Sequence, residues 1–313
     1  MTMVDWIKQV PEVVVGDLVA NKQVLVDVSA TTNIAQTLEV LNNHRILSCP
    51  VYGKKGSWIG AGGVNLCIGD KQYIGIISVI DILAFMFRNK QLLLRERLST
   101  PITQVVGETD ESLCLWVEPV DRPLLYACEM LGKGVHRVLV TDGSSARLLT
   151  QTDVVKFIAT HSRALPHLSS LFAKQVRDVA RAARPEMKHI ILYVELHDSL
   201  KMAVSLLLEH KITALPVVDH HGSLQTQISI SDFRGMLSTA LAAIQSLTVH
   251  EYLMQTHRCL PPPIVCRDTD SVNDAVQKML SSRIHRIWIN TENRGLSLLT
   301  FTDVIAAAFQ SEL

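Results

Sequence analysis

Four stretches of the chain, SVIDILAFMF (78–87), TQTDVVKFIA (150–159), SISDFRGML (229–237) and TFTDVIAAAF (300–309), each open with a hydroxyl residue, two others and an Asp, then continue as apolar helical sequence. The four Asp residues, Asp81, Asp153, Asp232 and Asp303, are 72, 79 and 71 positions apart. Self-similarity at a fixed period marks a repeated supersecondary unit, and it governs how the other residues of this 313-residue chain are read.

Immediately before each motif lies an aliphatic or β-branched run of strand length: YIGII, ARLL, QTQISI and GLSLL. Further upstream is an amphipathic helix with apolar residues at i, i+3, i+4 and i+7, clearest at Leu200, Ala203, Val204, Leu207 and at Val272, Ala275, Val276, Met279. Asp121, Asp198 and Ser271 stand where an N-cap is expected, and Pro123 suits a first helical turn. A short strand follows each helix: SCPVY (48–52), HRVLV (136–140), ALPVV (214–218) and HRIWI (285–289). The unit therefore reads strand, helix, strand, strand, helix. From cap to motif Asp it takes 32 residues in repeats 2 and 4, 34 in repeat 3 and 50 in repeat 1. The excess in repeat 1 is the Gly-rich insertion 53–72, whose GAGG (60–63) lacks the Lys-Ser/Thr and helix of a phosphate cradle and reads as a solvated hairpin loop.

The expected boundaries are 11–90 and 96–160 for repeats 1 and 2, a linker at 161–174 containing Pro166, and 175–240 and 247–310 for repeats 3 and 4. A unit this small cannot bury both faces of its sheet, so repeat 1 is expected to pair with 2, and 3 with 4. With 48% hydrophobic and 19% charged residues the chain has material for a sizeable core. Lys plus Arg and Asp plus Glu are 30 each, so no long-range field attracts nucleic acid or an anionic membrane. Cys49, Cys67, Cys114, Cys128, Cys259 and Cys266 form no C-x-x-C pair, which suits free thiols in a reducing compartment. The N-terminal stretch has no signal-peptide pattern and no apolar run reaches membrane-spanning length.

The four motifs in register, together with HKITALPVVDHHG (210–222), HRIWINTENRGLSLLTFTD (285–303), GSWIGAGG and CEMLGKGVHRVLV (128–140), resemble the gamma regulatory subunits of the AMP-activated and plant sucrose-non-fermenting-related protein kinases, in the plant gamma-like branch. That resemblance implies an α+β fold of four tandem CBS motifs paired into two Bateman modules forming a flat disc. It also implies clefts for adenosine nucleotides, with Asp81, Asp153, Asp232 and Asp303 on the ribose and Ser78, Thr150, Ser229 and Thr300 as their hydroxyl companions. The phosphates would fall to His136-Arg137 and His285-Arg286, with Thr213 as a further contact. An Asp at a helix start can accept from both ribose hydroxyls, and the helix N-terminus offers donors to phosphate. The same hydroxyl-acid sequences are also ordinary helix caps, although capping alone does not require the second hydroxyl three residues before the Asp.

Three positions depart from the animal gamma pattern. Leu47 replaces an Arg ahead of Pro50, with His44 and Arg45 out of register; Thr152-Asp153 replace a Lys-Arg pair; and Arg258 is offset from an expected Arg. The implied central cavity is correspondingly less basic. No H-E-x-x-H, G-x-S-x-G or zinc-type His/Cys spacing is present, so neither catalytic nor metal-binding residues are expected, and no resident cofactor. The resemblance implies a regulatory subunit with AMP, ADP or ATP as ligand, catalytic alpha and scaffold beta subunits as partners, self-association through its faces, and a place in the cytoplasm with the nucleus as a second compartment. The alternative is a ligand-independent CBS scaffold.

Overall fold

The computed structural model describes residues 13–58, 61–89, 91–182, 191–234, 244, 246–291 and 295–309. Helix α1 (Val15–Val19) precedes repeat 1, which runs β1 (Val28–Ser29), α2 (Ile34–Asn43), β2 (Ser48–Lys54), β3 (Leu66–Ile68), β4 (Lys71–Ser78) and α3 (Val79–Arg88). After α4 (Leu94–Leu98) and a 3-10 turn at Ile102–Gln104, repeat 2 comprises β5 (Val117–Pro119), α5 (Leu124–Gly132), β6 (Arg137–Thr141), β7 (Ala146–Thr150) and α6 (Gln151–His161). Helices α7 (Pro166–Ala173) and α8 (Val176–Ala182) lead to repeat 3, with β8 (Val194–Glu195), α9 (Leu200–Glu209), β9 (Ala214–Val218), β10 (Leu224–Ser229) and a 3-10 turn at Ile230–Phe233. Helix α10 (Val249–His257) introduces repeat 4: β11 (Val265–Arg267), α11 (Val272–Ser281), β12 (Arg286–Thr291), β13 (Gly295–Thr300) and α12 (Phe301–Phe309).

Repeats 1, 2 and 4 follow the expected order of elements and repeat 3 follows it through its third strand; each holds its own small sheet, in which the first strand pairs parallel with the second and the second antiparallel with the strand before the motif. In repeat 1 the insertion adds β3 at the edge, giving the order β1-β2-β4-β3. The helix expected after Asp232 falls mostly on residues 235–243, outside the described residues. Two cap assignments shift by one or two residues: Ser199, not Asp198, accepts from Met202 N at the start of α9, and Pro123, not Asp121, precedes α5. Pro166 does not stop a helix. It opens α7, where a missing N–H costs nothing, and the expected linker carries buried Leu165, Leu168, Leu171 and Phe172.

The four connecting loops after α2, α5, α9 and α11 share one backbone device. Arg45, Gly134, Lys211 and Arg283 all take positive φ, so each helix ends by turning through a left-handed residue into the next strand. Counting from that residue puts Leu47, His136, Thr213 and His285 in the same place. In each repeat the carbonyl of that residue accepts the N–H of the residue after the motif hydroxyl, from Val79, Gln151, Ile230 and Phe301 respectively. The strand start and the motif helix are therefore pinned together in all four units.

The segments leading each repeat are exchanged between sequence neighbours. Val15 N and Gly16 N donate to Arg122 O and Val120 O, so α1 packs on repeat 2; Ile34 N donates to Thr100 O and Ile102 N to Thr32 O, so the segment leading repeat 2 packs on repeat 1. Val176 N donates to Asp270 O and Val249 N to Asp198 O, repeating the exchange between repeats 3 and 4. This follows the expected pairing of 1 with 2 and 3 with 4.

The apolar cores add a second pairing that the sequence did not show. One buried cluster joins Ile34, Leu38, Leu41, Ile82 and Leu83 of repeat 1 to Leu200, Val204, Leu207 and Phe233 of repeat 3; the other joins Leu131, Val154 and Ile158 of repeat 2 to Val276, Met279, Phe301 and Ile305 of repeat 4. The chain accordingly divides into two units: residues 1–25, 116–191 and 264–313, and residues 26–115 and 192–263. The physical reason lies in the helices: an amphipathic face needs a second apolar layer, and the matching stripes of alternate repeats supply it. All six cysteines are free thiols, with Cys49, Cys128 and Cys266 buried. Among the described residues no helix is long and apolar enough to cross a membrane.

Candidate functional site

At every motif the hydroxyl and the Asp form a reciprocal cap. Thr150 N and Oγ1 donate to Asp153 Oδ2 at 2.7 and 2.6 Å, Ser229 N and Oγ to Asp232 Oδ2 at 2.6 and 2.9 Å, and Thr300 N and Oγ1 to Asp303 Oδ2 at 2.7 Å each. Ser78 N donates to Asp81 Oδ2 at 2.9 Å and its hydroxyl binds the same oxygen. The second hydroxyl of the motif is thus the N-cap partner of the Asp, which accounts for its recurrence by capping alone.

The further partners of each carboxylate distinguish the repeats. Asp81 Oδ1 accepts from Thr109 Oγ1 at 2.6 Å and Ser112 Oγ at 2.7 Å, and the residue is 1% exposed. Burial pushes its carboxyl up, opposed by the hydrogen bonds from Ser78, Thr109 and Ser112, which favour the charged form. Asp153 Oδ2 is also bound by Lys22 Nζ at 2.5 Å, and that ammonium donates in addition to Leu148 O at 2.6 Å. Asp232 Oδ1 lies 2.9 Å from His257 Nε2, and this bond raises the imidazole above its ordinary value. Tyr252 OH donates to the Asp232 backbone carbonyl at 2.9 Å.

The His-Arg pairs of repeats 2 and 4 meet in one unit. His285 is held well below the usual imidazole range by desolvation first, then by the positive charges of Arg286, Arg137 and His136. Thr152 Oγ1 shares a 3.2 Å hydrogen bond with His285 Nε2, and Gln151 Nε2 donates to Thr302 Oγ1 at 2.9 Å, so the two motif helices begin side by side. Phe301 packs against the His285 ring with centroids 5.4 Å apart. Each histidine sits one hydrogen bond from a helix N-terminus, because its own carbonyl accepts the first helical N–H of α6 or α12. Clustered cations beside two helix N-termini form a setting for a phosphate group.

The other unit has no such cluster at the corresponding places: Leu47-Ser48 and Thr213-Ala214 replace the His-Arg pairs. Thr213 is therefore placed with repeat 1 and not with the basic group. Arg45 sits at the left-handed turn, where its carbonyl accepts from Arg234 Nη1 at 2.9 Å. Sequence reasoning missed Lys22, Thr109, Ser112 and His257. Lys22 lies 131 positions from Asp153, and no spacing rule connects the two. Among the described residues no group of three His, Cys, Asp or Glu side chains could hold a metal ion.

Residues 176–238 and 251–309 match the CBS domain family. The chain is 24% identical to the SNF1-related protein kinase regulatory subunit gamma-like PV42b of Arabidopsis thaliana, over 93% of each chain, and to PV42a of the same plant at 24% over 92% of each. Protein SDS23 of Saccharomyces cerevisiae is 21% identical over 86% of this chain and 54% of its own length. Among solved structures, MJ1225 from Methanocaldococcus jannaschii superposes with a TM-score of 0.67 at 19% identity, covering 94% of this chain and 99% of that one, which establishes a shared fold. The CBS match lies in repeats 3 and 4, and over nearly its whole length the chain is similar to the SNF1-related protein kinase gamma-like regulatory subunits of Arabidopsis thaliana.

Proposed function

We propose that this chain is a non-catalytic, gamma-type regulatory subunit of a heterotrimeric Ser/Thr protein kinase and that it binds adenosine nucleotides, with the phosphates held by the basic cluster of repeats 2 and 4. The observation that carries the reading is the convergence of His136, Arg137, His285 and Arg286 on the N-termini of α6 and α12. Desolvation first, and then the neighbouring cations, depress the His285 imidazole; a phosphate among them offsets the repulsive part and favours the protonated ring. Ligand binding then favours whichever arrangement of the subunit holds the anion better, and bound catalytic alpha and scaffold beta subunits read the difference. The assembly belongs to the cytoplasm, with the nucleus as a second compartment.

A second reading, a CBS scaffold without ligand control, is favoured by one observation: Asp81 is already saturated by protein donors. Isothermal titration of the full chain with AMP, ADP and ATP separates the two. The proposed function gives binding that weakens at least tenfold in Arg137→Ala or Arg286→Ala, consistent with loss of a charge-assisted phosphate contact worth about 1.5–3 kcal/mol. Titration in buffers of different ionisation enthalpy is expected to show proton uptake on binding. Absence of heat with all three nucleotides, from folded protein that still co-purifies with the kinase alpha and beta subunits, supports the scaffold.

A further inference from the structure

Between repeats 1 and 2 the chain reads QLLLRERL (91–98), and its leucines do not go fully inside. Leu92 is 37% and Leu93 63% exposed, and neither belongs to an apolar core; Leu94 and Leu98 pack only partly against the core of repeats 1 and 3. A run of apolar side chains left at the surface marks a place that another molecule covers.

Beside that run, α4 and the start of α2 enclose an open groove of about 480 Å³, lined by Asn33, Ala35, Leu94, Arg95, Leu98 and Ser99. Its walls are fixed by the fold. Ile34 N donates to Thr100 O at 3.1 Å and Ile102 N to Thr32 O at 2.8 Å, which ties α2 to the chain beyond α4. Arg97 Nη1 donates to Met86 O at 2.8 Å and holds α4 to the end of α3, while Thr100 Oγ1 donates to Glu96 O at 3.2 Å. The groove is formed before anything enters it, so little ordering cost falls on binding. Arg95 is the single charged side chain of the lining; it is exposed, and among the described residues it has no ion-pair partner. Its neighbour Glu96 turns back to accept from Leu93 N at 2.9 Å. All of these residues lie in one unit.

The chemistry of the groove selects its occupant. A second copy of the chain, with the groove on a two-fold axis, would bring Arg95 to Arg95 with no acid in either lining to separate them. A bilayer cannot fill a concave groove, and α4 has five residues, too few to lay an apolar face into a membrane surface. An amphipathic helix meets both features: apolar side chains spaced i, i+3 and i+4 enter a groove of this kind, and a carboxylate beside them pairs with the unmatched guanidinium. We propose that the groove between α4 and the start of α2 docks an acidic amphipathic helix of a partner protein, whose apolar anchors rest on Leu93, Leu94 and Leu98 and whose carboxylate pairs with Arg95.

Selection of random peptides of about 15 residues, long enough for a helix, on the full chain tests the assignment. Enriched peptides are expected to carry Leu-class residues at i, i+3 or i+4 beside an Asp or Glu. Their affinity, read by fluorescence anisotropy, should fall about tenfold in Arg95→Glu and about fivefold in Leu93→Ser. Both positions are exposed, so melting temperatures should stay at the wild-type value. A second selection, on Arg95→Glu, should exchange the acid for Lys or Arg. The proposal is overturned if the enriched peptides bind both variants as tightly as wild type, if the second selection returns the same acidic peptides, or if no peptide is enriched on wild type over the double variant. It is equally overturned if phosphatidylserine vesicles bind wild type and not Leu93→Ser, which makes the patch a membrane contact, or if sedimentation shows a dimer that Leu93→Ser dissociates.

Discussion

Burial and hydrogen bonding act on Asp81 in opposite directions: an enclosed carboxyl resists ionisation, while the donors around it favour the charged form. The side chain is consequently a structural hub, tying the β4–α3 corner to residues 109–112. Asp81→Ala is expected to cost about 3 kcal/mol or more in urea unfolding, because the Ser78 N–H and the hydroxyls of Ser78, Thr109 and Ser112 lose their acceptor in a buried setting. His257 behaves differently, since its partner raises its affinity for a proton. A raised folded value means that the bond stabilises the fold fully below about pH 6.5, the ordinary imidazole value, and is lost as pH rises through the folded value. The pair is partly solvated, so its contribution is below about 1 kcal/mol. Melting temperatures at pH 5.5 and 8.5 should therefore differ more for wild type than for His257→Ala, with that excess absent in Asp232→Asn.

At the scale of elements, the exchanged segments are held by backbone bonds at close quarters. Gly16 in α1 donates to Val120 O, and a Cβ built on it would lie 2.7 Å from that oxygen. Gly16→Ala therefore forces α1 away from β5, at an expected cost of about 2 kcal/mol, within the range for overpacked sites. Amide exchange would locate the damage: protection should fall in α1 and around Val120 but not in α9 or β9, which belong to the other unit. The left-handed residues at 45, 134, 211 and 283 show a different constraint. Three are basic residues in a conformation glycine adopts more easily, and two residues after each turn a backbone carbonyl accepts the N–H that follows the motif hydroxyl. That common turn brings His136 and His285 to equivalent places.

For the whole molecule the consequence lies in how the cores are divided. Repeats 1 and 3 share one apolar cluster and repeats 2 and 4 the other, so cutting between the sequential pairs leaves half of each core on each fragment. Residues 1–165 and 166–313, produced separately, are each expected to show low thermal cooperativity and to aggregate. Mixed during refolding, they should recover a cooperative transition and co-elute as one species in size-exclusion chromatography. Independent folding of either half, with a sharp melt and monomeric mass, is the outcome that contradicts shared cores.

The order of elements in each repeat, the hydroxyl-Asp motifs and the apolar helix faces were all legible along the chain, because capping and hydrophobic periodicity act over three to eight residues. The matching His-Arg pairs were legible too, as equivalent positions in two repeats. Their convergence in one unit was not, nor was the choice of Lys22, Thr109, Ser112 and His257 as partners for the motif carboxylates. Those contacts join residues 25 to 131 positions apart. Local propensity is indifferent among four similar amphipathic faces; only the packing of the chain against itself decides which pairs close a core, and with them which carboxylates are filled from within.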